Sequence, residues 1–156
     1  MREPLTPALA ASRENVSIDL DDLVRRVSDA GRGSDIALVE GAGGIASPLT
    51  WDHDLVFVTR ALDAPVLVVG ADRLGVLNHV RLAVHYIAAA GVPLVGIVLS
   101  TPRVDATTGS NADALARSLQ EPPDIGRRIV TLAHGSEAFD QEALIRLSSW
   151  MGVGAS

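Results

Sequence analysis

Cysteine is absent from the 156 residues, and so is lysine; all 13 positive charges are arginines. Without cysteine there is no disulfide framework and no thiolate metal site. Without lysine there is no ammonium group to set against a phosphate. Aromatic residues make up only 3% of the chain while hydrophobic residues reach 47%, so Ala, Val, Leu and Gly must fill the interior. That filling suits helices layered on a sheet better than a sandwich of aromatic-rich strands. Basic runs are missing too, and with a net charge of −6 the composition argues against a nucleic-acid partner. The apolar runs are strand-sized, which excludes a membrane span. No basic stretch followed by an apolar core opens the chain, so a signal peptide is not expected. These absences point to a cytoplasmic protein, and the length suits a single domain over residues 1–156.

What is present alternates in character. Pro4 and Pro7 exclude one continuous helix at the start, with a helical turn possible only after Pro7. Asp19 is placed to cap a helix reaching about Ala30, with Leu20, Leu23, Val24 and Val27 on one face and Gly31 and Gly33 beyond it. Ile36–Val39 reads as a short buried strand ending in Glu40 and a glycine run. A helix is expected from Asp52 or Asp54, carrying Leu55, Val56, Val58 and Leu62. Strands at Pro65–Gly70 and Leu94–Leu99 flank a long helix from Val76 to about Ala90, closed by Gly91. A helix over Ser110–Gln120, a strand over Arg128–Leu132 and a helix from about Ala138 to Met151 complete the chain. Apolar strands alternating with helices predict an α/β fold, a parallel sheet with helices on both faces.

Ligands of open α/β sheets bind beyond the carboxyl ends of the strands. Three tips are therefore expected to meet at one edge: Glu40 with its glycines, Gly70–Gly75, and Ser100–Pro102. A carboxylate buried at a strand end is costly unless paired or bound to a cation. Glu40 thus reads either as a Mg²⁺ ligand beside a nucleotide phosphate or as a solvated acid before a turn. The glycines after it would bring backbone N–H groups close to a ligand. Leu74–His79 opens a helix, and its N–H groups would suit an anion; an ordinary turn at Gly75 is the alternative. The four histidines, His53, His79, His85 and His134, form no pair at helical spacing, so a zinc site is not expected. No G-x-S-x-G nucleophile motif is present.

The order of these segments resembles the dethiobiotin synthetase family. Glu40-Gly41-Ala42-Gly43-Gly44 followed by Pro48-Leu49 is similar to that family's "EGAGG…PL" segment. Pro65–Val69 and then Leu74-Gly75-Val76-Leu77-Asn78-His79 look like its "LG-x-[IL]-NH" region. Ala90–Leu99 is similar to its "GLPVAGVVLN" strand, and Pro4–Ala11 followed by Ile18-Asp19 resembles its "P-x-[SA]-P-H-x-A-A…ID" opening. The likeness runs from Pro4 to about Gly135, the C-terminal two-thirds of the family fold. The Glu-Gly-Ala-Gly-Gly element also occurs in amidoligases of cobalamin synthesis; the Leu-Gly-x-x-Asn-His element favours the biotin enzyme.

The resemblance implies a P-loop NTPase-like fold, a homodimeric family, and joining of diaminopelargonic acid and CO₂ with ATP and Mg²⁺. It implies that Glu40 is the catalytic carboxylate and Mg²⁺ ligand. The backbone at Gly43 and Gly44 would face the diamine. Leu74, Gly75, Val76, Leu77 and Asn78 would hold the substrate carboxylate across a subunit interface. Ser100, Leu132, Ala133 and His134 would lie at the nucleotide.

Two departures bear on function. The family's first strand and its Gly-Lys-Thr loop have no counterpart in these residues, and a chain without lysine cannot replace that loop's lysine by rearrangement. Ser100 stands where the family usually has an Asn against adenine, and a hydroxyl cannot make an amide's paired contact. A P-loop fold without its first strand would also leave an apolar sheet edge unpaired. Three expectations stay open. The chain is one subunit of a split, heteromeric synthetase, inactive alone, whose P-loop-bearing partner completes it. Or it is a non-catalytic homologue that binds or scaffolds. Or it is an incomplete chain.

Overall fold

The computed structural model describes residues 5–152, so the opening segment's Pro4 lies outside the described residues. The chain divides into two compact units, Met1–Ala64 and Pro65–Ser156.

The first unit holds three helices: α1 (Pro7–Glu14), α2 (Leu20–Gly31) and α3 (Leu55–Ala61). Pro7 sits in the first turn of α1, where its missing N–H costs nothing. Asn15, in the left-handed region with φ 52°, ends that helix. The expected cap of α2 forms, with Asp19 accepting from the Asp22 N–H; Asp54, one of the two expected starts of α3, caps that helix by accepting from the Val56 N–H, both at 2.9 Å. Ala8, Ala10 and Ala11 are buried in this unit, as are Leu49, Val56 and Val58.

The expected strand at Ile36–Val39 does not form. All three strands among the described residues lie in the second unit. A strand needs a ladder to satisfy its backbone, and Ile36–Val39 has none. Leu38 is 82% exposed.

The second unit runs β1 (Val66–Ala71), α4 (Val76–Ala89), β2 (Leu94–Ser100), α5 (Asn111–Ser118), β3 (Ile129–Leu132) and α6 (Gln141–Trp150). A single 3-10 turn, Ile125–Arg127, precedes β3. The sheet order is β1-β2-β3 and both pairings are parallel. Alternation along β2 sorts its side chains between two cores. Ile97 and Leu99 pack with Val76, Val80 and Val84 of α4 and Leu115 of α5. Val98 packs on the opposite face with Val130 and with Ala143 and Leu147 of α6. The expected α/β arrangement with helices on both faces is therefore present. β1 is an edge strand among the described residues, and its Val69 is 64% exposed.

Candidate functional site at the carboxyl edge of the sheet

The register aligns the carboxyl ends of all three strands, with Ala71 beside Ser100 and Ser100 beside Leu132. The ladder continues one step further. The Asp72 N–H donates to the Ser100 carbonyl at 2.7 Å, and the Thr101 N–H to the Leu132 carbonyl at 3.0 Å. His134 then turns back, its Nδ1–H donating to the Thr101 carbonyl at 3.0 Å. That bond uses Nδ1 as donor, so Nε2 remains as the ring's other nitrogen. Ser100 and Leu132 are thus joined through the backbone at one edge, and His134 reaches that edge through its side chain, with Ala133 between the last two.

The β1–α4 turn lies beside them. Gly75 precedes α4 with φ 97°, a conformation that costs a side chain strain, and it offers no side-chain cap. The Val76 N–H donates to the Arg73 carbonyl at 3.1 Å. Leu77 and Asn78, in the first turn, have no helical carbonyl four residues back, so their N–H groups point out of the helix start. Val76 itself is buried, whereas Leu74 and Asn78 are exposed.

Two carboxylates that sequence reasoning did not assign to the site fasten this turn to the β2–α5 loop. Asp72 is only 2% exposed. Its side chain accepts from the Gly109 N–H at 3.0 Å and the Asn111 side-chain amide at 2.6 Å, and its carbonyl accepts from the Thr108 hydroxyl at 3.2 Å. Asp105 reaches the other way. Its Oδ2 accepts from the Leu74 N–H at 2.7 Å, while Oδ1 accepts from the Thr107 N–H and hydroxyl, both at 2.8 Å. The Leu74 N–H foremost, then the Thr107 hydroxyl and N–H, lower the Asp105 pKa from the ordinary 3.8 to about 2. The signals were present in the sequence. Asp72 follows an apolar strand just as Glu40 follows Val39, and Asp105-x-Thr107-Thr108 is a turn-forming pattern.

Glu40, Gly43 and Gly44 belong to the first unit. Glu40 is exposed and follows no strand, so the expectation of a buried carboxylate at a strand end is corrected. The glycine run is a turn. The Gly43 N–H is used inside it, donating to the Gly41 carbonyl at 2.9 Å, and the Gly44 carbonyl accepts from the Ser47 N–H at 2.8 Å. Gly43 has φ 103°, and a Cβ there would come within 2.5 Å of the Ser47 hydroxyl. A Cβ on Gly44 would meet open space.

Residues 1–130 match the family model described as an AAA domain. The chain belongs to this AAA domain family. Its parallel sheet with helices on both faces is of the P-loop NTPase type. Among curated proteins it is 38% identical over 122 residues to the ATP-dependent dethiobiotin synthetase of Nitrosospira multiformis, covering 76% of this chain and 53% of that one. To the enzyme of the same name from Bacillus licheniformis it is 36% identical over 120 residues, 74% of this chain and 50% of the relative. The Anaeromyxobacter dehalogenans enzyme is 37% identical over 135 residues, 80% of this chain and 60% of the relative. The chain thus spans about half the length of the curated relatives it matches. No helix among the described residues is long and apolar enough to cross a membrane.

Proposed function

We propose that this AAA domain chain is the substrate-side subunit of a cytoplasmic, ATP-dependent dethiobiotin synthetase, completed by a partner that carries the phosphate-binding loop. The observation that carries the reading is the carboxyl edge of the sheet, where an α-helix start with outward N–H groups stands beside the strand-end residues Ser100 and Leu132–His134. A helix start of this kind favours a carboxylate, and the proposed substrate, diaminopelargonic acid, has one. In the proposed reaction one substrate amine takes up CO₂ as a carbamate. The carbamate oxygen attacks the γ-phosphorus of ATP, the bond to the β–γ bridging oxygen breaks and ADP leaves, so the carbamate carbon carries a phosphate leaving group. The second amine then attacks that carbon, closing the ring and releasing phosphate.

In this reading the α4 start, Leu74–Asn78, holds the substrate carboxylate. The backbone at Gly43 and Gly44 faces the diamine, and Ser100, Leu132, Ala133 and His134 flank the nucleotide. Among the described residues no group of three His, Cys, Asp or Glu side chains is arranged around a metal. A lone carboxylate such as Glu40 suits Mg²⁺, which takes one or two carboxylates and completes its shell with phosphate oxygens and water. Bound there, Mg²⁺ would offset phosphate charge during transfer. With no lysine in 156 residues, the phosphate-cradling lysine must come from outside them. Among the described residues β1 is an edge strand with Val69 exposed, which supports pairing with a further strand supplied from outside these residues. An exposed apolar line at the start and along one side of α4, Leu74, Leu82 and Tyr86, supports assembly into a homo- or hetero-oligomer.

The test is co-expression with genomic neighbours, capture, and an assay for ATP-dependent dethiobiotin formation. A P-loop protein that co-purifies and makes an active pair, with neither chain active alone, bears the proposal out. Glu40→Ala should abolish product in that pair without dissociating it. Ser100 in place of an adenine-contacting Asn favours a second reading, a non-catalytic binding or scaffold subunit. An assembled pair that stays inactive, or keeps full activity with Glu40→Ala, would decide for that reading or against the assigned role of Glu40.

A further inference from the structure

β1 is paired on one side only, and its hydrogen bonds fix which groups face the other side. The Val66 N–H donates to the Pro93 carbonyl at 2.8 Å and the Asp72 N–H to the Ser100 carbonyl at 2.7 Å, so the even-numbered residues of β1 turn toward β2. Backbone groups alternate along a strand. Leu67, Val69 and Ala71 therefore point their N–H groups away from β2, and Pro65, Leu67, Val69 and Ala71 their carbonyls. Among the described residues no strand meets this outward row. The row is cut off at both ends. Pro65 has no N–H, and the Ala71 carbonyl already accepts from the Arg73 N–H at 2.8 Å. What stays open is a set of donors at Leu67, Val69 and Ala71 and a set of acceptors at Pro65, Leu67 and Val69. The two sets exchange places on reversal about Val68. The usual guards against edge pairing are also missing: no charged residue occurs from Val66 to Ala71, and Val69 is 64% exposed.

We infer that the outer edge of β1 is a self-docking surface, on which a second copy of this chain pairs antiparallel about a two-fold axis at Val68. Leu67 of each copy stands opposite Val69 of the other, and each such pair exchanges both of its bonds. The Ala71 N–H of each copy meets the Pro65 carbonyl of the other. Every open donor then has an acceptor and no outward group is left over. That match singles out a second copy as the occupant. An unrelated strand would set a carbonyl opposite Pro65, which has no N–H to give it. The axis is perpendicular to the sheet, so the faces are kept. Leu67 and Val69 lie on the α6 side and meet their counterparts there, while Val68, on the α4 side, faces itself. The two sheets become one, with the β1 strands at its centre. An isologous contact of this kind closes on itself, so the product is a dimer and not a fibre. The inference is independent of the ligand assignments under Proposed function. A strand brought by another protein would need the same edge, so the two associations exclude each other.

The experiment uses the full chain. Sedimentation velocity over a concentration series should show a reversible monomer–dimer equilibrium. Val69→Pro removes an outward N–H and leaves the bonds to β2 in place, since proline is tolerated on the open side of an edge strand. It should weaken the dimer at least about tenfold, one bond being lost from each copy. Val69→Lys keeps the whole backbone and sets like charges beside the axis, and it should weaken the dimer as well. If circular dichroism shows the proline variant unfolded, the lysine variant decides. Ile145→Lys, on α6 and 62% exposed, should leave the equilibrium unchanged. The register is read separately. Two Val68 residues facing across the axis form a non-hydrogen-bonded pair with Cα atoms about 4.5 Å apart, within the range of a disulfide. The chain has no cysteine, so Val68→Cys brings the only thiol, and mild oxidation should give a covalent dimer, whereas Ile145→Cys should not. A chain that stays monomeric at millimolar concentration overturns the inference. So does a dimer that the Val69 variants do not weaken, or one that Ile145→Lys weakens as much. A dimer in which Val68→Cys fails to cross-link overturns it too, because the pairing about Val68 is then wrong.

Discussion

Replacing Asp72 with alanine tests whether the sheet edge is held by the clasp or only by the strands beneath it. The carboxylate is 2% exposed and serves two donors, the Gly109 N–H at 3.0 Å and the Asn111 amide at 2.6 Å. Asn111 is itself buried, and after the substitution its amide keeps only the Thr107 hydroxyl at 3.2 Å. A buried donor left without its acceptor costs about 1–3 kcal/mol. Gly109 is exposed, so water can take over that N–H, and its loss adds only about 0.5 kcal/mol. The sum is a destabilisation of about 1.5–3.5 kcal/mol, which for a chain of this length lowers Tm by roughly 3–14 °C. Asp72→Asn retains one oxygen and should cost about half as much, because one of the two donors still finds an acceptor. Urea unfolding followed by circular dichroism, with a thermal melt in parallel, measures both variants. Asp72→Ala within about 0.5 kcal/mol of wild type would refute the clasp as a source of stability. Asp72→Asn as damaging as Asp72→Ala would refute the counting of donors.

Two further outcomes are expected. Gly96 lies in β2 where an added Cβ would come within 2.6 Å of the Trp150 ring and 3.2 Å of the Arg128 carbonyl. The backbone oxygen cannot yield, so Gly96→Ala should cost about 1–3 kcal/mol and displace the ring, read as a lower urea midpoint with altered tryptophan fluorescence; wild-type stability would contradict it. The Asp105 carboxyl is depressed from 3.8 to about 2, so its contribution to stability is complete above the unfolded value and is lost as pH falls from about 4 toward 2. The Leu74 amide resonance should therefore titrate with a midpoint near 2 and stop responding there in Asp105→Asn, whereas a midpoint near 3.8 would mean that the contact does not form.

Much of the scaffold was legible because its signals are local. Asp19 and Asp54 cap helices because a carboxylate can reach an N–H two or three residues on, which sequence spacing alone fixes. Leu94–Ser100 is a strand buried on both faces, and its unbroken apolar run says as much. Gly75 and Gly91 bound the long helix through positive φ angles of 97° and 67°, which glycine adopts without strain. The same reasoning failed at Ile36–Val39. Four apolar residues fit a strand, but a strand is made by its neighbour, and no neighbour can be read from the residues themselves.

The site divides in the same way. The sequence by itself determined the α/β alternation, the helix start at Leu74–Asn78, the Ser100 substitution and the lack of any lysine for a phosphate, because each is a property of residue type and short spacing. Only the tertiary structure decided that Leu132 and His134 join Ser100 at the edge beside that helix start. It alone showed Glu40 exposed rather than buried, Asp72 buried beneath the β2–α5 loop, and the Leu74 amide already taken by Asp105. The Asp72 and Asp105 contacts join residues 31 to 39 positions apart, which parallel crossovers bring together and no local pattern encodes.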